Sequence, residues 1–380
     1  MRATEQLFFE LIQVAIGHCS SLSRKPSDKE WEVLFDLADK HAVAGVAFAA
    51  LEELVNQDQK PPTEILLEWI GLSEQIKNRN HIVNQRSKEL EKLFIDNGFR
   101  CCVLKGQGTA TLYDVGWKRE EGRSKLSEYR QSGDIDLWVA KDGECKTDDV
   151  RSEVLQFANS HGYHIGHVDI KHSDIAFFED VPVEVHFIPS WMFCPLRNRT
   201  LQKFFAKESG RQFCNTDAEA GFTHSTIEFD LVFSLVHIYR HVFTEGIGLR
   251  QLLDYYYILQ HSSAEQRKEA FEVLKSLGMS SFVDGVMYVL QKCFLLKTKL
   301  LLCEANERHG KFLLSEILIA GNFGHYDSRY TFHSKESRFR NGYVTLKRNF
   351  RYLFYYPSEV CWAPIWKIWH WWWRKRKGYL

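Results

Sequence analysis

Over the first hundred positions the apolar residues recur at helical spacing. Leu7, Leu11, Val14 and Ala15 share one helix face, and Leu34, Leu37, Ala38 and Val43 mark a second. Ser27 and Glu30, just ahead of the second pattern, read as a capping box. Pro61-Pro62 breaks the run, and Thr63 is the expected N-cap after it. Glu64 to Asp96 reads as one long polar helix with Ile76, Ile82, Leu90 and Leu93 toward the core, closed by Gly98.

The texture changes at Phe99. Arg100 to Leu104 is a short apolar strand running into Lys105-Gly106-Gln107-Gly108, and Ala110 to Tyr113 fits a helical turn. Gly116 to Gln131 is charged and polar and reads as a surface loop. Gly133 to Val139 is a strand, Asp148 to Ser160 a helix, and three further strands are expected at Tyr163–Ile170, Ile175–Glu179 and Val183–Phe187. From Thr226 the pattern is helical again, with a second helix over Leu249–Gln260 and a third from Ala264. The expected fold class is α+β. An α/β core at 99–190 with a mixed sheet lies between helical regions at 1–98 and 222–330, and 331–380 forms a Trp-rich basic tail.

Composition narrows the function. Lys+Arg and Asp+Glu are 49 each in 380 residues, so the net charge is zero. A general nucleic-acid binder carries a basic excess, so none is expected here. Nine cysteines without a C-x-x-C pair fit reduced thiols. Glu5 and Glu10 interrupt the apolar start, unlike a signal peptide. The longest apolar run, Val286 to Leu302, is broken by Gln291, Lys292, Lys297 and Lys299, so it reads as a helix of a soluble domain. A cytoplasmic protein is expected. The tail qualifies this: Trp362, Trp366, Trp369 and Trp373 recur at one helical face, followed by Arg374-Lys375-Arg376-Lys377. That pattern suits peripheral contact at the inner face of a membrane, and equally tryptophans packed on the protein beside a solvated basic end.

Chemistry concentrates at Gly133-Asp134-Ile135-Asp136. Residues i and i+2 of a strand share a face, so two carboxylates stand side by side while Ile135 and Leu137 turn to the core. Such a pair calls for a cation, and Mg²⁺ suits oxygen ligands while leaving positions for phosphate. Glu184, between Val183 and Val185 on a later strand, offers a third acid. Upstream, Lys105 can meet a triphosphate and the glycines admit close approach of backbone N–H groups. Arg130 adds a second phosphate partner.

These residues resemble the uncharacterised nucleotidyltransferase family of the DNA-polymerase-β superfamily. The resemblance rests on Lys105-Gly106, then Arg130-x-x-Gly133-Asp134-Ile135-Asp136-Leu137, then Val183-Glu184-Val185-His186. His237, His241 and Gly248-x-Arg250-Gln251-x-x-Asp254 add to it. It implies a polymerase-β-like core with Asp134, Asp136 and Glu184 as metal-holding, catalytic acids. It also implies two Mg²⁺ ions and an NTP, with ATP the expected nucleotide. Lys105, Gly106, Gln107, Arg130 and Gly133 would then serve the nucleotide. Lys105-Gly106 stands where Gly-Ser is usual, which leaves the choice of nucleotide open. The implied reaction moves a nucleoside monophosphate to a hydroxyl-bearing acceptor; the alternative is a degenerate member that binds nucleotide as a sensor or scaffold.

Other residues admit two readings. His237 and His241 have the i,i+4 spacing of a zinc protease but lack the neighbouring glutamate, which excludes that class. With Asp230 and Ser234 they form a polar stripe that either faces solvent or lines the cleft. Arg250 can contact acceptor or pair with Asp254 one turn on. His186 shares a strand face with Glu184 and supports the ligands or the acceptor.

Overall fold

The computed structural model describes residues 2–54, 57–114, 124–143, 146–218, 220–330 and 338–379. The chain is α+β. It opens with α1 (Ala3–Ala15), α2 (Asp28–Lys40), α3 (Ala44–Glu53) and α4 (Thr63–Asp96). The Ser27–Glu30 box caps α2 as expected: Ser27 N donates to Glu30 Oε2 at 3.0 Å and Glu30 N to Ser27 Oγ at 3.4 Å. Pro62, not Thr63, is the N-cap of α4. The buried seam of α4 is Trp69, Ser73, Ile76, Asn80, Val83, Ser87, Leu90 and Phe94, stepping four and three alternately. Ile82 faces out and Leu93 is half-buried. Three seam positions are polar, so an apolar count alone drifts off the true face. Asn80 is buried because it works as a clasp: its Nδ2 donates to Glu128 O at 2.6 Å and Arg130 O at 2.8 Å. Gly98 ends α4 at φ +77°, a conformation costly for any other residue.

The core follows as β1 (Arg100–Leu104), α5 (Gly106–Ala110), β2 (Ile135–Ala140), α6 (Thr147–Ser160), β3 (His164–Val168), β4 (His172–Ala176) and β5 (Val183–His186). The sheet order is β1-β2-β5-β4-β3; β2 and β5 run parallel and the other pairs antiparallel. The fourth strand thus begins three residues earlier than its sequence suggests. Residues 116–123 of the expected loop lie outside the described residues. Its later part is no surface loop: 126–129 form a 3₁₀ turn in which Leu126 and Tyr129 are fully buried.

The sheet has two different faces. Val103, Leu137, Val139 and Val185 pack with Phe94 of α4 and with Val154 and Phe157 of α6. Leu104, Asp136, Glu184 and Asp174 lie in one register row, so Asp136 and Glu184 share the opposite face with Cys102, Leu104 and Trp138. That face meets α7 (Pro195–Gln212), which sequence left unread, and α8 (Ile227–Thr244), which follows a two-stranded hairpin, β6 (Thr216–Asp217) and β7 (Phe222–Thr223). Then come α9 (Leu249–Gln260), α10 (Ala264–Ser276), α11 (Ser280–Phe294), α12 (Glu307–Ala320), α13 (Arg338–Phe350) and α14 (Pro357–Lys377). The first and last helices share one core. Phe8 and Phe9 belong to the same cluster as Val283, Met287 and Leu313, and Gln13 Nε2 donates to Cys293 O at 2.9 Å.

Among the described residues no helix is long and apolar enough to cross a membrane. The tryptophan stripe of α14 is divided. Trp366 stacks on Trp191 with centroids 5.3 Å apart, and Trp373 lies beneath Arg151. Trp362 and Trp369 stay exposed, beside Ile365, Ile368 and Trp372.

Candidate active site

The approach to the paired aspartates is held rigidly. Arg79 of α4 donates to Gly133 O at 3.1 Å and also to Asp180 O. Arg250 Nη1 donates to Gln131 O at 2.7 Å. Arg130, buried, grips Asp254 with Nε at 2.7 Å and Nη2 at 2.8 Å, and Tyr113 Oη adds a third bond to Asp254 at 2.7 Å. Asp254 therefore belongs to Arg130, not to Arg250. Arg130 lines the cavity beside Asp134, but its bidentate fork is already engaged.

Lys105 is carried across from β1 by a sharp turn. It sits at φ +47°, rare for a residue with a side chain, and Gly106 follows at φ +54°. Its Nζ reaches Asp136 Oδ2 at 2.8 Å and lies 3.4 Å from His237 Nε2. Burial works against this ammonium, yet the charges of Asp136, Asp134 and Glu184 hold its pKa above the ordinary lysine value. Gly108 serves packing, since a Cβ there would fall 2.8 Å from His224 Cβ. Gln107 is not brought to the carboxylates; its Nε2 donates to Asn84 Oδ1 at 2.7 Å in a separate cavity beside α4.

Oxygen atoms of Asp134, Asp136 and Glu184 all lie within 4.8 Å of one another. Asp136 is buried, and its Oδ1 accepts from His186 Nε2 at 2.8 Å. The same nitrogen is 3.3 Å from Glu184 Oε2, as is His172 Nδ1. Burial opposes a charge on His186, but its bonds to Asp136 and Glu184 raise its pKa to about 9, so it stands as an imidazolium between two acids. Burial also opposes the Glu184 charge, but His186, His172 and Lys105 together outweigh it and hold that carboxyl below its ordinary value. Asp134 lacks such a partner: the Asp136 charge, then burial, pushes its carboxyl up. This set of hard oxygens carrying surplus negative charge fits a divalent cation such as Mg²⁺.

The α8 stripe turns toward the site except at its start. Ser234 and His237 line the small cavity with Asp134, Asp136 and Arg250, while Asp230 is buried below. A second cavity of about 640 Å³ opens on the Glu184 side, where His186, His237 and His241 meet His172, Lys171, Trp191 and Arg240. The last four escape a sequence reading. His172 reaches His186 only through strand register, and Arg240 lies inside the His237–His241 segment but shows no spacing of its own. Asp169 shapes the β3–β4 turn beneath them, accepting from Lys171 N at 2.7 Å and His172 N at 2.8 Å.

Residues 27–295, which contain every one of these strands and the stripe of α8, match a family described as uncharacterised nucleotidyltransferase. The chain belongs to that family. No curated protein matches the chain. The matched span ends just beyond α11, so α12, α13 and α14 lie outside it.

Proposed function

We propose that this nucleotidyltransferase moves a nucleoside monophosphate from an NTP, ATP first, to a hydroxyl-bearing acceptor on a polymerase-β-like core. The observation that carries the reading is the convergence of the Asp134, Asp136 and Glu184 carboxylates beside the Lys105 ammonium. The three acids would hold Mg²⁺, two ions being expected, and the metal when bound supplies Lewis-acid charge to the phosphates and the acceptor oxygen. Lys105 is the cation at hand for a phosphate oxygen once it leaves Asp136, and Gly106 lets the backbone approach. Arg250 lines the same cavity. His186 holds Asp136 and Glu184 in place through one protonated nitrogen. In the reaction the acceptor oxygen bonds the α-phosphorus, the bond to the β-phosphate breaks, and pyrophosphate leaves. The hydroxyl proton passes to Glu184 or to water.

The deciding experiment is pyrophosphate release from each NTP with Mg²⁺ and a broad acceptor pool, with Asp136→Asn as the control. Release in wild type and none in the variant supports the enzyme. Nucleotide binding without release under any condition supports the sensor or scaffold reading.

We also propose that the exposed side of α14 meets an anionic bilayer surface. Ile368 is 71% exposed and Phe354, just before the helix, 85%. Lys375 and Arg376 follow on the same helix, exposed, over the rings of Trp371 and Trp372. An aromatic face beside cations matches the headgroup region of such a membrane.

A further inference from the structure

Arg240 is 4% exposed, and none of its guanidinium nitrogens makes a hydrogen bond. The nearest carboxylate oxygen, Glu359 Oε2, is 4.0 Å from Nη1. That carboxylate is engaged elsewhere, accepting from Phe193 N at 2.8 Å and Cys194 N at 3.2 Å. The guanidinium carbon lies 4.1 Å from the Trp191 ring centre and 3.6 Å from that of Phe193. Ring faces attract the cation but give its N–H groups no acceptor. A buried guanidinium with five idle donors is costly unless something accepts from it. Arg240 lines the 640 Å³ cavity beside Glu184 and His186.

A second cation shares the same ring. Lys171 Nζ is 4.7 Å from the Trp191 centroid and lines the same cavity. Two of the four acids in this wall lie against histidines: Glu184 against His186 and His172, and Glu245 against His241 at 3.2 Å, while Asp134 stands on the metal side and Asp174 lies 3.4 Å from His172 without a hydrogen bond. Two cations, one of them a planar donor fork, suit a dianion better than a single carboxylate. We propose that Arg240 and Lys171 form a phosphate subsite on the Glu184 side of the active centre. The phosphate comes either from the polyphosphate of the nucleotide or from a phosphorylated acceptor. The inference rests on the nucleotide-site reading above, and its test reads binding alone, so its failure is distinct from a failure of transfer.

The test is titration calorimetry on full-length wild type, Arg240→Gln and Lys171→Gln. The probes are Mg²⁺-ATP, pyrophosphate and glycerol 3-phosphate. Each variant should lose about 10- to 100-fold in affinity for the phosphate that uses the subsite, the range for one charge-assisted interaction. Weaker ATP and pyrophosphate binding, with glycerol 3-phosphate excluded by saturating ATP, assigns the subsite to the nucleotide. Unchanged ATP binding and weaker glycerol 3-phosphate binding, with both ligands bound together in wild type, assigns it to the acceptor. Wild-type affinity for all three probes in both folded variants overturns the proposal. Should Arg240→Gln fail to fold, Lys171→Gln decides alone, since Lys171 is only partly buried.

Discussion

Lys105, the first residue beyond β1, sets its ammonium 2.8 Å from Asp136 Oδ2. The Lys105 side chain is 24% exposed and that of Asp136 2%, so the pair is largely shielded from solvent screening. Removing one partner of such a pair leaves the other charge stranded. Lys105→Met should therefore cost about 2 kcal/mol in urea unfolding without metal. The deficit should shrink with Mg²⁺, which replaces the lost cation. Mg²⁺-ATP affinity should fall at least ~10-fold, roughly the contribution of one charged hydrogen bond. A folded variant that binds Mg²⁺-ATP like wild type would remove Lys105 from the nucleotide site.

The two aspartates should differ in stability while agreeing in function. Asp134 is pushed up by the charge of Asp136, so Asp134→Asn relieves repulsion and should raise metal-free stability. Asp136 answers both Lys105 and His186, so Asp136→Asn should lower it. Both variants should lose Mg²⁺-dependent nucleotide binding or turnover. Retention in both would show the metal site to be misassigned.

Glu184→Gln separates chemistry from binding. Asp134 and Asp136 remain to hold a metal-nucleotide complex, so affinity should stay within about tenfold, or roughly 1.4 kcal/mol. The transfer rate, or slow hydrolysis of NTP to NMP and pyrophosphate, should drop by at least ~10². An undiminished rate would point to another acid; Asp174, next to Glu184 in register, comes first.

Asp230 gives a pH signature away from the metal ligands. Burial raises its carboxyl to about 7 from an ordinary value near 3.8, and its Oδ1 has no hydrogen-bond partner. A raised carboxyl means the folded protein holds a proton that the unfolded chain releases. Its favourable contribution is complete below about pH 4 and fades as the pH rises to about 7. Asp230→Asn should therefore stabilise more at pH 8 than at pH 5, by on the order of 2 kcal/mol. Equal effects at the two pH values in denaturant unfolding would contradict this.

The elements with strong local signals were legible. The α2 capping box, the bounds of α9 and the start of α10 come from side chains that act on their own neighbours. The strand expected from Gly133 begins only at Ile135, so Asp134 stands just before β2, yet its carboxylate still lies within 4.8 Å of those of Asp136 and Glu184. What sequence could not supply is pairing across the fold. Arg130 looks like a phosphate ligand until Asp254, 124 positions away, takes its fork. Asn80 looks like a solvated residue on a polar helix until the 128–130 backbone is laid against it. Arg240 reads as a spacer between two histidines until the Trp191–Phe193 segment closes over it.

The tail prediction targets only the outward residues of α14. Ile368→Ser together with Trp369→Ser and Trp372→Ser should reduce sedimentation with phosphatidylserine vesicles at least ~10-fold, because most of the inserted apolar area is lost. Trp366 and Trp373, which pack inward, are untouched. Equal sedimentation of the triple variant and wild type would leave the bilayer without a role.

The inner side of α14 reaches the wall of the candidate site, because Glu359 fastens the 193–194 backbone and Trp366 lies on Trp191. One helix is thus shared by two surfaces, the support of the wall that holds Trp191 and Arg240 and an outward aromatic face. Thermodynamic linkage makes such sharing reciprocal. A docked surface that favours one setting of α14 changes affinity in the cavity by some factor, and a ligand in the cavity changes docking by that same factor. The two bonds that Glu359 accepts from the 193–194 backbone are the link through which α14 would pass such a change to the cavity wall.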